Sequence, residues 1–126
     1  MHTALNWVLP SDPATPAAAR DHMRTACGTL PPDVLEVAVL LTSELVTNAV
    51  RYGGSRIVLT VRDDPDVLRV EVQDDGPWVP ARTGEERATG GRGLLLVESL
   101  AHAWGTTTLG CDAGSKTVWF AMRKRD

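Results

Sequence analysis

One stretch, residues 33–53, limits the folds open to this chain more than any other. Val34, Ala38, Leu41, Leu45 and Ala49 recur at spacings of four and three. That period is one apolar face of a helix. The same run carries Ser-Glu-Leu-Val-Thr-Asn-Ala-Val-Arg-Tyr-Gly at 43–53. Glu44 and Asn48 stand four apart, so they sit one turn from each other on the same side. Leu40, Leu41, Leu45 and Ala49 flank them. A carboxylate and an amide therefore lie on the edge of a core-facing stripe. An unpartnered carboxylate is costly to bury. Either these two side chains reach past the core edge into water, or they serve a site.

The rest of the chain offers one core for this helix to cover. A length of 126 residues fits one domain, taken here as 1–126. The net charge of −3 and pI of about 5.5 supply no basic field for phosphates, so no nucleic-acid partner is expected. Cys27 and Cys111 have no CxxC context and read as buried thiols or bystanders. His2, His22 and His102 lack metal-ligand spacing. No basic segment followed by an apolar one opens the chain, and no apolar run is long enough to span a bilayer. A cytoplasmic protein without a membrane partner is the expectation.

Trp7, Val8 and Leu9 before Pro10 suggest an edge strand. Ser11-Asp12-Pro13 and Thr15-Pro16 signal a helix start, with the helix over about 16–27 and a stop at Gly28. Pro31-Pro32-Asp33 opens the long helix, and Gly53-Gly54 closes it. Ile57, Leu59 and Val61 alternate with polar or half-polar neighbours, as do Leu68, Val70 and Val72. With Asp63-Asp64-Pro65-Asp66 between them, they predict an antiparallel hairpin. Continuing the parity of 68, 70 and 72 puts Asp74 on the buried side at a strand end. Asp75, its neighbour, points to the other face.

From Val79 to Gly90 periodicity is lost, and a connection of that length suits a lid, here about 79–92. Gly90-Gly91-Arg92-Gly93 then leads into Leu94, Val97, Leu100 and Ala101 at helical spacing. Free N–H groups at such a helix start suit an anion. Residues 104–109 and 115–122 predict a second hairpin. The order β-α-α-β-β-loop-α-β-β implies an α+β fold. The sheet would be mixed or mostly antiparallel, with about three helices on one face. Gly114-Ser-Lys-Thr117 is no P-loop, since it lies between strands and lacks the glycine before lysine. Gly91-x-Gly93 lacks the third glycine of a dinucleotide fingerprint. The four tryptophans suit core or interface anchors better than stacking platforms, because no basic groove accompanies them.

Three features stand together: Glu44…Asn48 on a helix face, Asp74-Asp75-Gly76 at a strand end, and Gly91-Arg92-Gly93-Leu94 opening a helix. Over roughly 32–122 their order resembles the Bergerat-fold (GHKL) ATPases, a histidine-kinase-like ATPase superfamily. Within it the chain is most similar to stand-alone anti-sigma-factor serine/threonine kinases of bacteria. The resemblance implies a two-layer α/β sandwich that binds ATP and Mg2+. Glu44-Leu-Val-Thr-Asn48-Ala resembles the N box, with Asn48 as Mg2+ ligand and Glu44 orienting or deprotonating the nucleophile. Arg51 and Tyr52 stand where relatives place a basic and an aromatic residue near the nucleotide. Asp74 matches the aspartate that accepts a hydrogen bond from the adenine amino group, and Gly76 the first glycine of that box. Gly91 and Gly93, with Arg92 and Leu94, match the second glycine box at the phosphates. Thr117 lies where relatives often place a threonine near adenine. The first glycine box usually reads Asp-x-Gly-x-Gly, and here its second glycine is Trp78.

No His-Glu-x-x-x-Pro phosphoacceptor segment is present in the sequence, so a separate protein would be the substrate. The resemblance implies a kinase that phosphorylates an antagonist protein, with a sigma factor as a further or alternative partner, in transcription regulation. Relatives often dimerise, and the strand around Trp7 could serve a homodimer. A different class remains open: a non-catalytic interaction module that keeps the fold, and nucleotide or not, as a scaffold. A purely structural α/β domain is a third reading. The Glu44–Asn48 pair favours the kinase, and Trp78 keeps the module alive.

Overall fold

The computed structural model describes residues 3–52, 54–76, 92–108 and 115–124. Along them run β1 (Thr3–Pro10), α1 (Thr15–Ala26), α2 (Pro32–Tyr52), β2 (Arg56–Asp63) and β3 (Val67–Asp74). The chain continues through α3 (Arg92–Leu100), β4 (Ala103–Thr108) and β5 (Lys116–Arg123). The five strands form one sheet in the order β1-β2-β3-β5-β4, and every neighbouring pair is antiparallel. The expected α+β sandwich is therefore present, with a wholly antiparallel sheet.

Local chemistry sets the element ends. Asp12 Oδ1 accepts the Ala14 N–H at 2.8 Å, and Pro16 occupies the first turn of α1, where its missing N–H costs nothing. The Thr15 hydroxyl donates to the Pro10 carbonyl at 2.6 Å, tying β1 to the start of α1. α3 stops at Leu100, just short of Ala101, the last residue at helical spacing. The reason is His102, whose N–H donates to the Ala121 carbonyl and so commits the chain to the β4–β5 ladder.

The core lies between one face of the sheet and the helices. Ile57, Leu59, Leu68, Val70 and Phe120 are fully buried from the sheet side. Ala38, Leu41, Leu45 and Ala49 are buried from α2, as the spacing predicted, and Val34 packs at the margin. Burial of each large side chain contributes about 1.5–3 kcal/mol. The opposite face of the sheet carries an exposed polar network. Arg69 Nε and Arg62 Nε both donate to Glu71 Oε2, at 2.8 and 3.2 Å, and the Arg69 guanidinium lies 4.0 Å from the Trp119 ring centre. Trp7 instead stacks on His22 of α1, with ring centres 4.9 Å apart.

β1 is an edge strand, as Pro10 suggested. β3 and β5 are neighbours although α3 and β4 separate them in sequence. That crossover places residue 74 beside residue 116.

Candidate functional site

Asp74 ends β3 on the parity of Leu68, Val70 and Val72, and it is 4% exposed. Its cross-strand neighbours are Ile57 on β2 and Lys116 on β5. Lys116 is itself buried, and its Nζ donates to Asp74 Oδ1 at 3.0 Å. The Gly76 N–H donates to the same oxygen at 2.8 Å. No described residue donates to Oδ2. Both described donors to this carboxylate thus meet the one oxygen Oδ1.

Lys116 is the residue that sequence reading missed. Its signal was present: Lys116, Val118 and Phe120 alternate, so the parity argument that put Asp74 inside also puts Lys116 inside. Thr117, expected near the base, pairs with Gln73 on the other parity. The structure does not bring it to Asp74.

Asp75 turns the other way and holds the site's edge. Its Oδ1 accepts the Arg56 N–H at 3.2 Å, and its Oδ2 accepts the Ser55 hydroxyl at 3.1 Å. The backbone hydrogen bond from Arg56, followed by the Ser55 hydroxyl, holds this carboxyl below the usual carboxylate range. Gly54 packs so close that a Cβ there would meet the Asp75 carboxylate and lie 3.0 Å from its backbone carbonyl carbon. The turn from α2 into β2 is thereby pinned against the end of β3. The C-terminal end of α2 accordingly lies at the Asp74 end of the sheet.

Glu44 and Asn48 are both half-buried on α2, one turn apart. Ser43, just before Glu44, accepts a 2.8 Å hydrogen bond from Arg20 Nη1 on α1, and its carbonyl accepts from the Thr47 hydroxyl at 2.7 Å. α1 thus braces the helix at the Glu44 turn. Arg51 is exposed in the last turn, and the Tyr52 backbone closes the helix. Arg92, Gly93 and Leu94 form the first turn of α3, whose leading N–H groups have no intrahelical acceptor. Gly91, Trp78 and nearly all of the expected lid at 79–92 lie outside the described residues, as does Cys111.

Cys27 is a free buried thiol, pushed up to about 11 mainly by burial and secondly by the nearby Asp63 carboxylate, against a smaller opposing effect of Lys124. Near neutral pH that thiol stays protonated, and the thiolate is the nucleophilic form. Among the described residues no group of three or more His, Cys, Asp or Glu could hold a metal ion. Nor is any described helix long and apolar enough to cross a membrane.

Comparison with known proteins agrees with this geometry. No curated protein matches the chain. Among solved structures, the RsbU and RsbW domains of Rv1364c from Mycobacterium tuberculosis are similar, with a TM-score of 0.69 and 21% identity. The match covers 96% of this chain and 32% of that one, so the chain spans about a third of its length. The Acinetobacter baumannii histidine kinase AdeS is similar at a TM-score of 0.57 and 11% identity, covering 97% of this chain and 68% of that one. At these identities the likeness is one of fold. The model of the family described as histidine kinase-like ATPase domain matches residues 9–121, well beyond the 32–122 stretch that carried the motifs at its N-terminal side. Nearly the whole chain is covered, and the protein belongs to the histidine kinase-like ATPase domain family.

Proposed function

We propose that this protein is an ATP-dependent serine/threonine protein kinase of the anti-sigma-factor type, transferring the γ-phosphate of ATP to an antagonist protein. The observation that carries the reading is the Asp74 carboxylate, buried and fixed at Oδ1, with no donor to Oδ2 among the described residues. An adenine amino group is a donor of the kind that oxygen requires. Family membership supports ATP as the nucleotide. The likeness to a structure containing an RsbW domain is in keeping with a protein partner, which the resemblance would make an antagonist or a sigma factor.

The donor set fits the nucleotide and its metal. Asn48 offers a neutral oxygen that would hold Mg2+ together with phosphate oxygens. When bound, Mg2+ supplies charge neutralisation at the phosphates. Glu44 would accept the proton of the attacking hydroxyl, a role worth about 10²–10⁴-fold in rate for a general base. The first turn of α3 offers backbone N–H groups to the phosphates. Phosphoryl transfer asks mainly for such positioning and neutralisation.

The test is transfer of label from γ-labelled ATP to a protein that the chain captures, followed by identification of the labelled amino acid. Label on serine or threonine with wild type, and none with Glu44→Ala, is the expected result. ATP binding without transfer to any captured protein would make the chain a non-catalytic nucleotide-binding module.

A further inference from the structure

We propose that the face of the sheet turned away from the helices docks an acidic segment of a partner protein. The inference stands apart from the nucleotide reading, since Asp74 lies on the other face. Met23 of α1, Leu41 of α2 and Val97 of α3 all join the core on that other side, so no described helix covers the outward face. Strand parity and register put Arg56 and Arg62 of β2, Arg69 and Glu71 of β3, and Trp119 and Arg123 of β5 on it. Its charged strand residues are thus four arginines against one glutamate, a balance of +3 in a chain of net −3. Asp75, past the end of β3, stands at the rim with its carboxylate taken by Ser55 and the Arg56 N–H.

A patch of one sign on a chain of the other attracts a compact group of carboxylates. The planar arginine fork holds a carboxylate through two hydrogen bonds. Arg56, Arg62 and Arg123 are exposed to do so. Trp119 supplies an anchor among them. It is half-buried, packs against Gly105 and lies under the Arg69 guanidinium. Glu71 in turn holds both Arg69 and Arg62. The ring and two of the arginines are therefore ordered before a partner arrives, which lowers the entropy cost of docking. Tryptophan and arginine are also the side chains that most often dominate interface energetics. A nucleic acid suits this face less well, because its phosphates run on over the net acidic remainder of the chain. Two copies face to face would set like charge against like. A short acidic protein segment meets neither conflict.

The test is titration of the full chain with oligoglutamate, read by backbone NMR shifts and by calorimetry, with a DNA oligonucleotide as the comparison probe. Shifts confined to the outward residues of β2, β3 and β5 are expected, with oligoglutamate bound more tightly than DNA. The double variant Arg62→Glu/Arg123→Glu should lose about tenfold or more in affinity. Circular dichroism reports whether it is folded. Should it not fold, the single variant Arg123→Glu takes its place, with a loss of about threefold or more expected. No binding of oligoglutamate, shifts on the helical side, or unchanged affinity in a folded variant overturns the proposal. Tighter binding of DNA at the same residues assigns the face to nucleic acid and overturns it too. So does self-association in sedimentation that the charge reversal abolishes, which would assign the face to a second copy.

Discussion

Asp74 and Lys116 form a buried ion pair, and such pairs are asymmetric in their energetics. Removing one member strands the other charge, which costs about 3–5 kcal/mol. Asp74→Asn is therefore expected to lower stability by up to that order, with the amide oxygen still accepting from Lys116 and Gly76 and the N–H2 group in the place of Oδ2. Thermal unfolding of the variant measures the first effect. Glu44 predicts a different pattern, because it is half-buried at the helix edge and, on the proposed function, would serve the transfer step alone. Glu44→Ala should lower phosphotransfer by about 10²-fold or more while leaving ATP affinity within a few-fold. Equal losses of transfer and affinity, measured by label transfer and calorimetry, would contradict that role.

At the scale of elements, the site depends on how α2, β2 and β3 meet. Gly54 leaves room for Asp75, and Asp75 holds Arg56 and Ser55. Gly54→Ala is expected to cost about 1–3 kcal/mol by overpacking and to weaken ATP binding, since it displaces the strand end next to Asp74. Urea unfolding and calorimetry on that variant check both parts. Gly105 has the same kind of constraint, because a Cβ there would come within 2.8 Å of the Trp119 ring. Gly105→Ala is expected to destabilise the protein without altering the site, since Trp119 lies on the opposite face of the sheet. The elements themselves were legible because their periods are clean. Alternation over 57–61 and 68–72 marked the hairpin, and the spacing from Val34 to Ala49 marked α2. Asp74 was legible through the same parity. Lys116 obeys that parity too, but its charge argued for solvent, and its partner lies 42 residues away across a crossover. The β3–β5 pairing supplies Asp74 as a counter-charge for it. Thr117, in turn, sits one residue out of register with Asp74.

For the molecule as a whole, two of the described groups make stability depend on pH. Asp75 titrates lower folded than unfolded, so its contribution is present above the ordinary carboxylate range. It is lost as pH falls through the folded value, below 3.8. Cys27 works in the opposite sense. Its folded value of about 11 lies above the ordinary 9.0, so the folded state holds a proton that the unfolded state has released. Stability should fall as pH rises from 9.0 towards 11, and Cys27→Ser should flatten that alkaline arm in a pH series of thermal unfolding. The fold that these groups stabilise has one purpose in this account, which is to present Asp74 to a nucleotide base. The most direct test is calorimetry of ATP with Mg2+ on wild type and on Asp74→Asn, with folding of the variant checked by circular dichroism. Micromolar binding by the wild type, weakened about a hundredfold or more in folded Asp74→Asn, is predicted. Wild-type protein that binds no ATP, or a folded variant that binds it equally well, would contradict the account.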